Sequence, residues 1–140
     1  MNLVVKNNRL VSIRMTENEI SKIVFESAMK VHKRLGPGLL EGAYCECLCY
    51  ELHKAGLFVE KEKPMPLIYE EIKLNVGYRA DIVLENKFII EVKTVDELKD
   101  IHLAQLLTYL KLSDYKLGML INFNVLLIKD GIRRVINGKL

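Results

Sequence analysis

Residues 78–94, YRADIVLENKFIIEVKT, restrict the possible folds of this chain more than any other stretch. Period-2 alternation puts Tyr78, Ala80, Ile82 and Leu84 on one face of a strand, and Phe88, Ile90 and Val92 on one face of a second strand. Arg79, Asp81, Val83, Ile89, Glu91 and Lys93 take the opposite face. A turn at Glu85-Asn86-Lys87 makes the apolar faces coincide and sets Asp81 across from Glu91. A slip of one residue would oppose Asp81 to Val92 and Ile82 to Glu91, so the hydrophobic pattern selects the register. Directly opposed like charges, with β-carbons about 5 Å apart, are destabilising unless something positive lies between them. A divalent metal ion is the natural candidate.

Two carboxylates suit a hard cation such as Mg2+, which takes one or two of them and fills its shell with water and phosphate oxygens. Lys93 shares the face of Glu91, where an ammonium could orient water or neutralise charge developing on a phosphate. Phosphodiester hydrolysis is the chemistry that uses all three groups. The same residues also have a plainer reading, because E-x-K is a common surface tripeptide and exposed strands often carry mixed charge. The hairpin alone leaves both readings open.

At 140 residues the chain suits a single domain, 1–140 with a core over about 16–136, and leaves no room for a separate recognition module. Half of the residues are hydrophobic, as in an ordered globular chain, and the net charge of +3 permits a polyanionic partner without requiring one. No apolar run approaches the roughly 18 residues of a membrane span, and the first ten residues lack a signal-peptide core. The expectation is a cytoplasmic protein with no membrane partner. Cys45, Cys47 and Cys49 match no zinc spacing and read as reduced, structural thiols on a helix.

Residues 1–15 alternate weakly, as a leading strand or a loose arm. Thr16 and Glu19 form a capping box before a helix with Ile20, Ile23, Val24, Val31 and Leu35 at helical spacing, ended by Gly36-Pro37-Gly38. A second helix is expected from near Leu39 to Gly56, with Glu41 in its first turn, where the helix dipole also favours an acid. Strands are expected at 58–63 and 66–76, with Pro64 and Pro66 marking the turn between them, and then the 78–94 hairpin. A third helix should run from Asp96 or Asp100 to Leu112, followed by a buried strand at 116–123. Two further strands, 125–129 and 132–136, would flank an Asp130-Gly131 turn. This order describes an α/β fold with a mixed sheet.

HKRLGPGLLEGAY (residues 32–44), the D-x9-E-x-K of Asp81, Glu91 and Lys93, and the later Gln105-x-x-x-Tyr109 together resemble the GxxExxY family of the PD-(D/E)xK nuclease superfamily. The name-giving motif is Gly38-x-x-Glu41-x-x-Tyr44, and GYRADIVL, FIIEVK, QLLTYL and GMLINF follow in the family's order. The resemblance implies a restriction-endonuclease-like mixed sheet flanked by helices, and a nuclease that hydrolyses DNA, or alternatively RNA, through water activated by Mg2+ or Mn2+. Carried over residue by residue, Asp81, Glu91 and Glu41 bind the metal and Lys93 is the catalytic lysine. Gln105 and Tyr109, an i, i+4 pair like that of the RecB-like branch, position DNA. His32 resembles a histidine that some RecB-like enzymes add to the metal site. Tyr44 reads as a buried ring with a bonded hydroxyl. Two other functions fit the same fold: a non-catalytic nucleic-acid-binding or assembly module, and a dimeric junction-resolving endonuclease. The small size favours a homodimer or another protein partner.

Overall fold

A computed structural model describes residues 2–6 and 9–140, with side chains from Arg14 onward. Two strands, β1 (Asn2–Lys6) and β2 (Arg9–Ile13), pair antiparallel as a hairpin of their own. Helices α1 (Glu17–Leu35) and α2 (Glu41–Lys54) follow, and then strands β3 (Val59–Tyr69), β4 (Ile72–Leu84) and β5 (Phe88–Lys93). After α3 (Asp100–Ser113) come β6 (Leu117–Asn122), a 3-10 turn (Ile128–Gly131) and β7 (Ile132–Ile136). The main sheet has the order β3-β4-β5-β6-β7. It is antiparallel except for the β5–β6 pair, so it is the mixed sheet expected.

The parallel pair explains the centre of the sheet. Parallel neighbours need a crossover, here α3, and they are covered on both faces. Accordingly, FIIEVK and LGMLIN are buried almost without interruption instead of alternating. Helices α1 and α2 cover one face, where Ile20, Val24, Leu48 and Leu52 meet Ile82, Phe88 and Ile90. Helix α3 covers the other, where Leu106 and Leu110 meet Val83, Ile89 and Leu120. Each fully buried aliphatic or aromatic side chain contributes about 1.5–3 kcal/mol. Among the described residues, no helix is long and apolar enough to cross a membrane.

Local signals set the helix ends near the expected places. The Thr16 hydroxyl accepts from the Glu19 N–H at 3.1 Å, and Gly36, at φ 69°, closes α1 with its N–H on the His32 carbonyl. Three expectations fail. Pro64 and Pro66 do not mark a turn but lie inside β3, which tolerates them as an edge strand with one side free of partners; the reversal falls at Glu70-Glu71. Residues 125–129 are not a strand, since β7 pairs with β6 directly and a 3-10 turn consumes Asp130-Gly131. The alternating face of β4 is broken, because Ala80 packs with Val83 on the α3 side while Ile82 and Leu84 face α1 and α2.

Gly118 lets α3 lie close on the sheet: a β-carbon there would stand 2.9 Å from the Ile89 carbonyl oxygen and 3.1 Å from Leu106 Cδ1. Gly118→Ala should therefore cost about 1–3 kcal/mol and Gly118→Val more. Urea denaturation measures this, and a Gly118→Val variant as stable as the parent would contradict the packing.

Candidate active site

The break in β4 is the structural origin of the site. Its ladder with β3 runs Lys61↔Ile82 and then Lys63↔Ala80, skipping Asp81, and the facing Glu62 adopts φ 47°. The ladder with β5 has the expected register, Leu84↔Phe88 to Ile82↔Ile90, and ends there. Asp81 thus belongs to neither ladder. Its Oδ2 accepts the Val92 N–H at 2.9 Å, and its own N–H points to Glu91 Oε1 at 3.4 Å. The acid side chains take over backbone bonds at the point where β4 and β5 part.

Burial first, then the Asp81 charge and a side-chain hydrogen bond to Asp81, push Glu91 up to about 9. Its carboxyl therefore favours the protonated form beside Asp81. Nearby Lys93 opposes this shift without cancelling it. Lys93 ends β5, and its Nζ lies 3.4 Å from Gln105 Oε1 on α3.

Glu41 is the first residue of α2. Partial desolvation and then the Asp81 charge raise its pKa, and Lys93 lowers it, which puts Glu41 within electrostatic reach of both. Tyr109 has its hydroxyl pKa raised by burial and then by Glu91 and Asp81. The structure therefore gathers Glu41, Asp81, Glu91, Lys93, Gln105 and Tyr109 around the parting of β4 and β5. Cys45 lies nearby, and its thiol is pushed up by a hydrogen bond with Cys49, by burial, and by the Asp81 and Glu41 charges.

His32 is tied to the loop after β6. It is buried, with Nε2 2.8 Å from the Val125 carbonyl oxygen. His102 caps α3 locally, with Nδ1 accepting the Lys99 N–H at 2.9 Å.

Tyr44, Phe123 and Asn122 frame the site. The Tyr44 hydroxyl donates to the Gly36 carbonyl at 2.5 Å and accepts the Leu39 N–H at 3.1 Å, pinning the loop before Glu41. Its ring stacks on Phe123 at 4.5 Å between centroids, and the Phe123 N–H bonds the Lys93 carbonyl at 3.0 Å. One aromatic pair thus links the start of α2 to the end of β5. Buried Asn122 forms a two-way clamp on Val95: Oδ1 accepts the Val95 N–H at 3.1 Å and Nδ2 donates to its carbonyl at 2.9 Å. In the sequence Asn122 stands out only as one polar residue in an apolar strand and as part of the GMLINF segment.

A divalent cation fits the donors present. Glu91 and Asp81 offer hard oxygens, and the raised pKa of Glu91 marks a place where positive charge would be stabilising. Among the described residues, no three acidic, imidazole or thiol groups form a ready-made metal cage, so water and substrate would complete the shell.

A D…E-x-K set at the parting of two strands, in a mixed sheet flanked by helices, defines a nuclease-type fold. The chain belongs to the PD-(D/E)XK nuclease superfamily, whose family model matches residues 18–135. No curated protein and no solved structure matches it.

Two outcomes follow for the metal-free protein. Because folding raises the pKa of Glu91 from an ordinary value near 4.5 to about 9, the native state binds the extra proton in that window. Its stability should fall as pH rises through the window, and Glu91→Gln should flatten the fall and leave the protein more stable than the parent near pH 8. Thermal melts in chelator across that range check this; parallel curves would refute it. Asn122→Ala should cost about 1–3 kcal/mol by orphaning the buried Val95 amide groups, measured by chemical denaturation.

Proposed function

We propose that this protein is a nuclease that hydrolyses DNA phosphodiester bonds with Mg2+ or Mn2+. The observation that carries the reading is the buried Glu91 carboxyl, set against Asp81 where β4 and β5 part, with Lys93 two residues on. Bound between the carboxylates, the cation would polarise water and offset charge on the scissile phosphate. Asp81 and Glu91 are the proposed ligands, Glu91 giving up its proton on binding. Glu41 completes the shell directly or through water. His32 bonds the Val125 carbonyl through Nε2, which leaves Nδ1 open, so His32 stays a proposed further ligand beside Asp81, Glu91 and Glu41.

Lys93 orients the attacking water, and Gln105 fixes the position of its ammonium. Tyr109, kept protonated by burial and by the neighbouring acids, donates to a phosphate oxygen. Gln105 and Tyr109 on α3 thus face the substrate, consistent with the Q-x-x-x-Y element of the RecB-like branch. The G-x-x-E-x-x-Y pattern of Gly38, Glu41 and Tyr44 supports membership of the GxxExxY group. Within it, Tyr44 acts on the position of Glu41 and touches no substrate.

Purified protein with Mg2+ or Mn2+ should nick or degrade DNA, and chelator should stop it. Lys93→Ala should lower the rate by about 100-fold or more with the fold intact by circular dichroism. Calorimetric titration should show Mn2+ binding that Asp81→Asn removes. Cleavage that survives both Lys93→Ala and Asp81→Asn would reject the assignment. DNA affinity should also fall steeply with salt, because phosphate contacts release counterions.

A further inference from the structure

Strands β3 and β4 run on past the sheet as a two-stranded arm. Only residues 82–84 of β4 pair with β5, and the base of the arm is fixed by buried Met65 and by Tyr78, stacked on Tyr109 at 4.4 Å between centroids. From Met65 to the turn at Glu70 the arm extends roughly 16 Å at ~3.3 Å per residue. Register places Tyr69 opposite Ile72 and Leu67 opposite Leu74. The apolar side chains near the tip face solvent, with Ile68 and Tyr69 each 66% and Ile72 57% exposed. An isolated two-stranded ribbon is marginal in water, and an exposed apolar one invites association. The turn at the tip carries two acids, with one cation, Lys73, behind it across from Ile68. Glu70 and Glu71 form a two-residue turn with Glu70 at φ 52°, where Asn-Gly would be the low-strain choice.

A groove of the opposite character runs along α1. Two adjoining cavities of about 510 and 530 Å³ share Phe25 and Met29. Leu126 and Leu127, 88% and 56% exposed, form the far wall. Lys22, Lys33, Lys129 and Arg134 line these cavities, against the single acid Glu26.

We propose that the groove receives the arm tip of a second copy of this chain. The occupant is chosen by complementarity: the tip pairs exposed apolar side chains with two glutamates, and the groove pairs apolar walls with four cations. Nucleic acid fits less well, since leucine and methionine walls offer no stacking platform for successive bases. Reciprocal insertion closes the assembly as a two-fold dimer in which each copy gives one arm and one groove. Pro64 and Pro66 in β3 disfavour the alternative of pairing two copies edge to edge. The interface does not depend on the catalytic reading, because Asp81, Glu91, Glu41 and Lys93 take no part and His32, which lines the groove, is not altered in the test.

Sedimentation of the full chain at tens of micromolar tests this. The parent protein should be a dimer, and the arm reversal Glu70→Lys/Glu71→Lys or the groove reversal Lys33→Glu/Lys129→Glu should each weaken it by about tenfold or more. Mixing the two variants should restore dimer, because each contact in the mixed species again pairs opposite charges. Leu126→Glu should yield monomer, with circular dichroism reporting the fold. A parent that is monomeric throughout, a dimer unmoved by either reversal, or a mixture that fails to recover would overturn the proposal. So would groove variants that lose DNA affinity while keeping the parent's mass.

Discussion

The β4–β5 ladder stops at Ile82↔Ile90, and everything distinctive about this molecule is arranged around that stop. Had pairing continued, Asp81 and Glu91 would have been ordinary cross-strand neighbours with their backbones satisfied by each other. Instead the strands part, and the Asp81 carboxylate accepts the amide of Val92 that the ladder leaves free. A side chain substituting for backbone pairing is fixed in place by a backbone requirement, since a buried amide without a partner costs free energy comparable to a lost hydrogen bond. The position of the acid is therefore set by the sheet, and its chemistry follows from that position.

Such an arrangement is costly in isolation. Two carboxyls in a poorly solvated place raise the energy of the folded state, and Glu91 relieves it only by retaining a proton. The surroundings are correspondingly rigid. Buried strands β5 and β6, the Tyr44–Phe123 stack and the Asn122 clamp adjoin the acids. They oppose the relaxation that would let the acids move apart. This is the usual relation between a strained site and its scaffold: local destabilisation persists where the neighbouring packing determines it fully.

The sequence made some of this legible because some of it is periodic. Strand register could be read from Ile82, Leu84, Phe88 and Ile90, since a slip would have buried charge, and the structure has that register. Glu41 at the start of α2 followed from the glycine-proline break and the helical run after it. The twist of β4 at Asp81, which sends Ala80 to the α3 side, is invisible to a period-2 rule that assumes an unbroken strand. The prolines of β3 misled for a related reason: they exclude central strands, and nothing local reveals that β3 lies at an edge. Asp130-Gly131 is a strong hairpin signal, yet β7 reaches β6 by long-range pairing and leaves those residues to a 3-10 turn. The roles of Asn122 and Phe123 arise from contacts far apart in the chain, which no spacing rule carries.

The stacked rings of Tyr78 and Tyr109 have a mechanical side. Tyr78 lies at the root of the arm, and its hydroxyl also donates to the Tyr109 carbonyl at 3.1 Å, so ring and backbone of α3 are gripped together. One helical turn earlier, Gln105 touches Lys93. The root of the arm and the lysine at the end of β5 are thus anchored on the same helix, one turn apart, so the arm and the site share a single support.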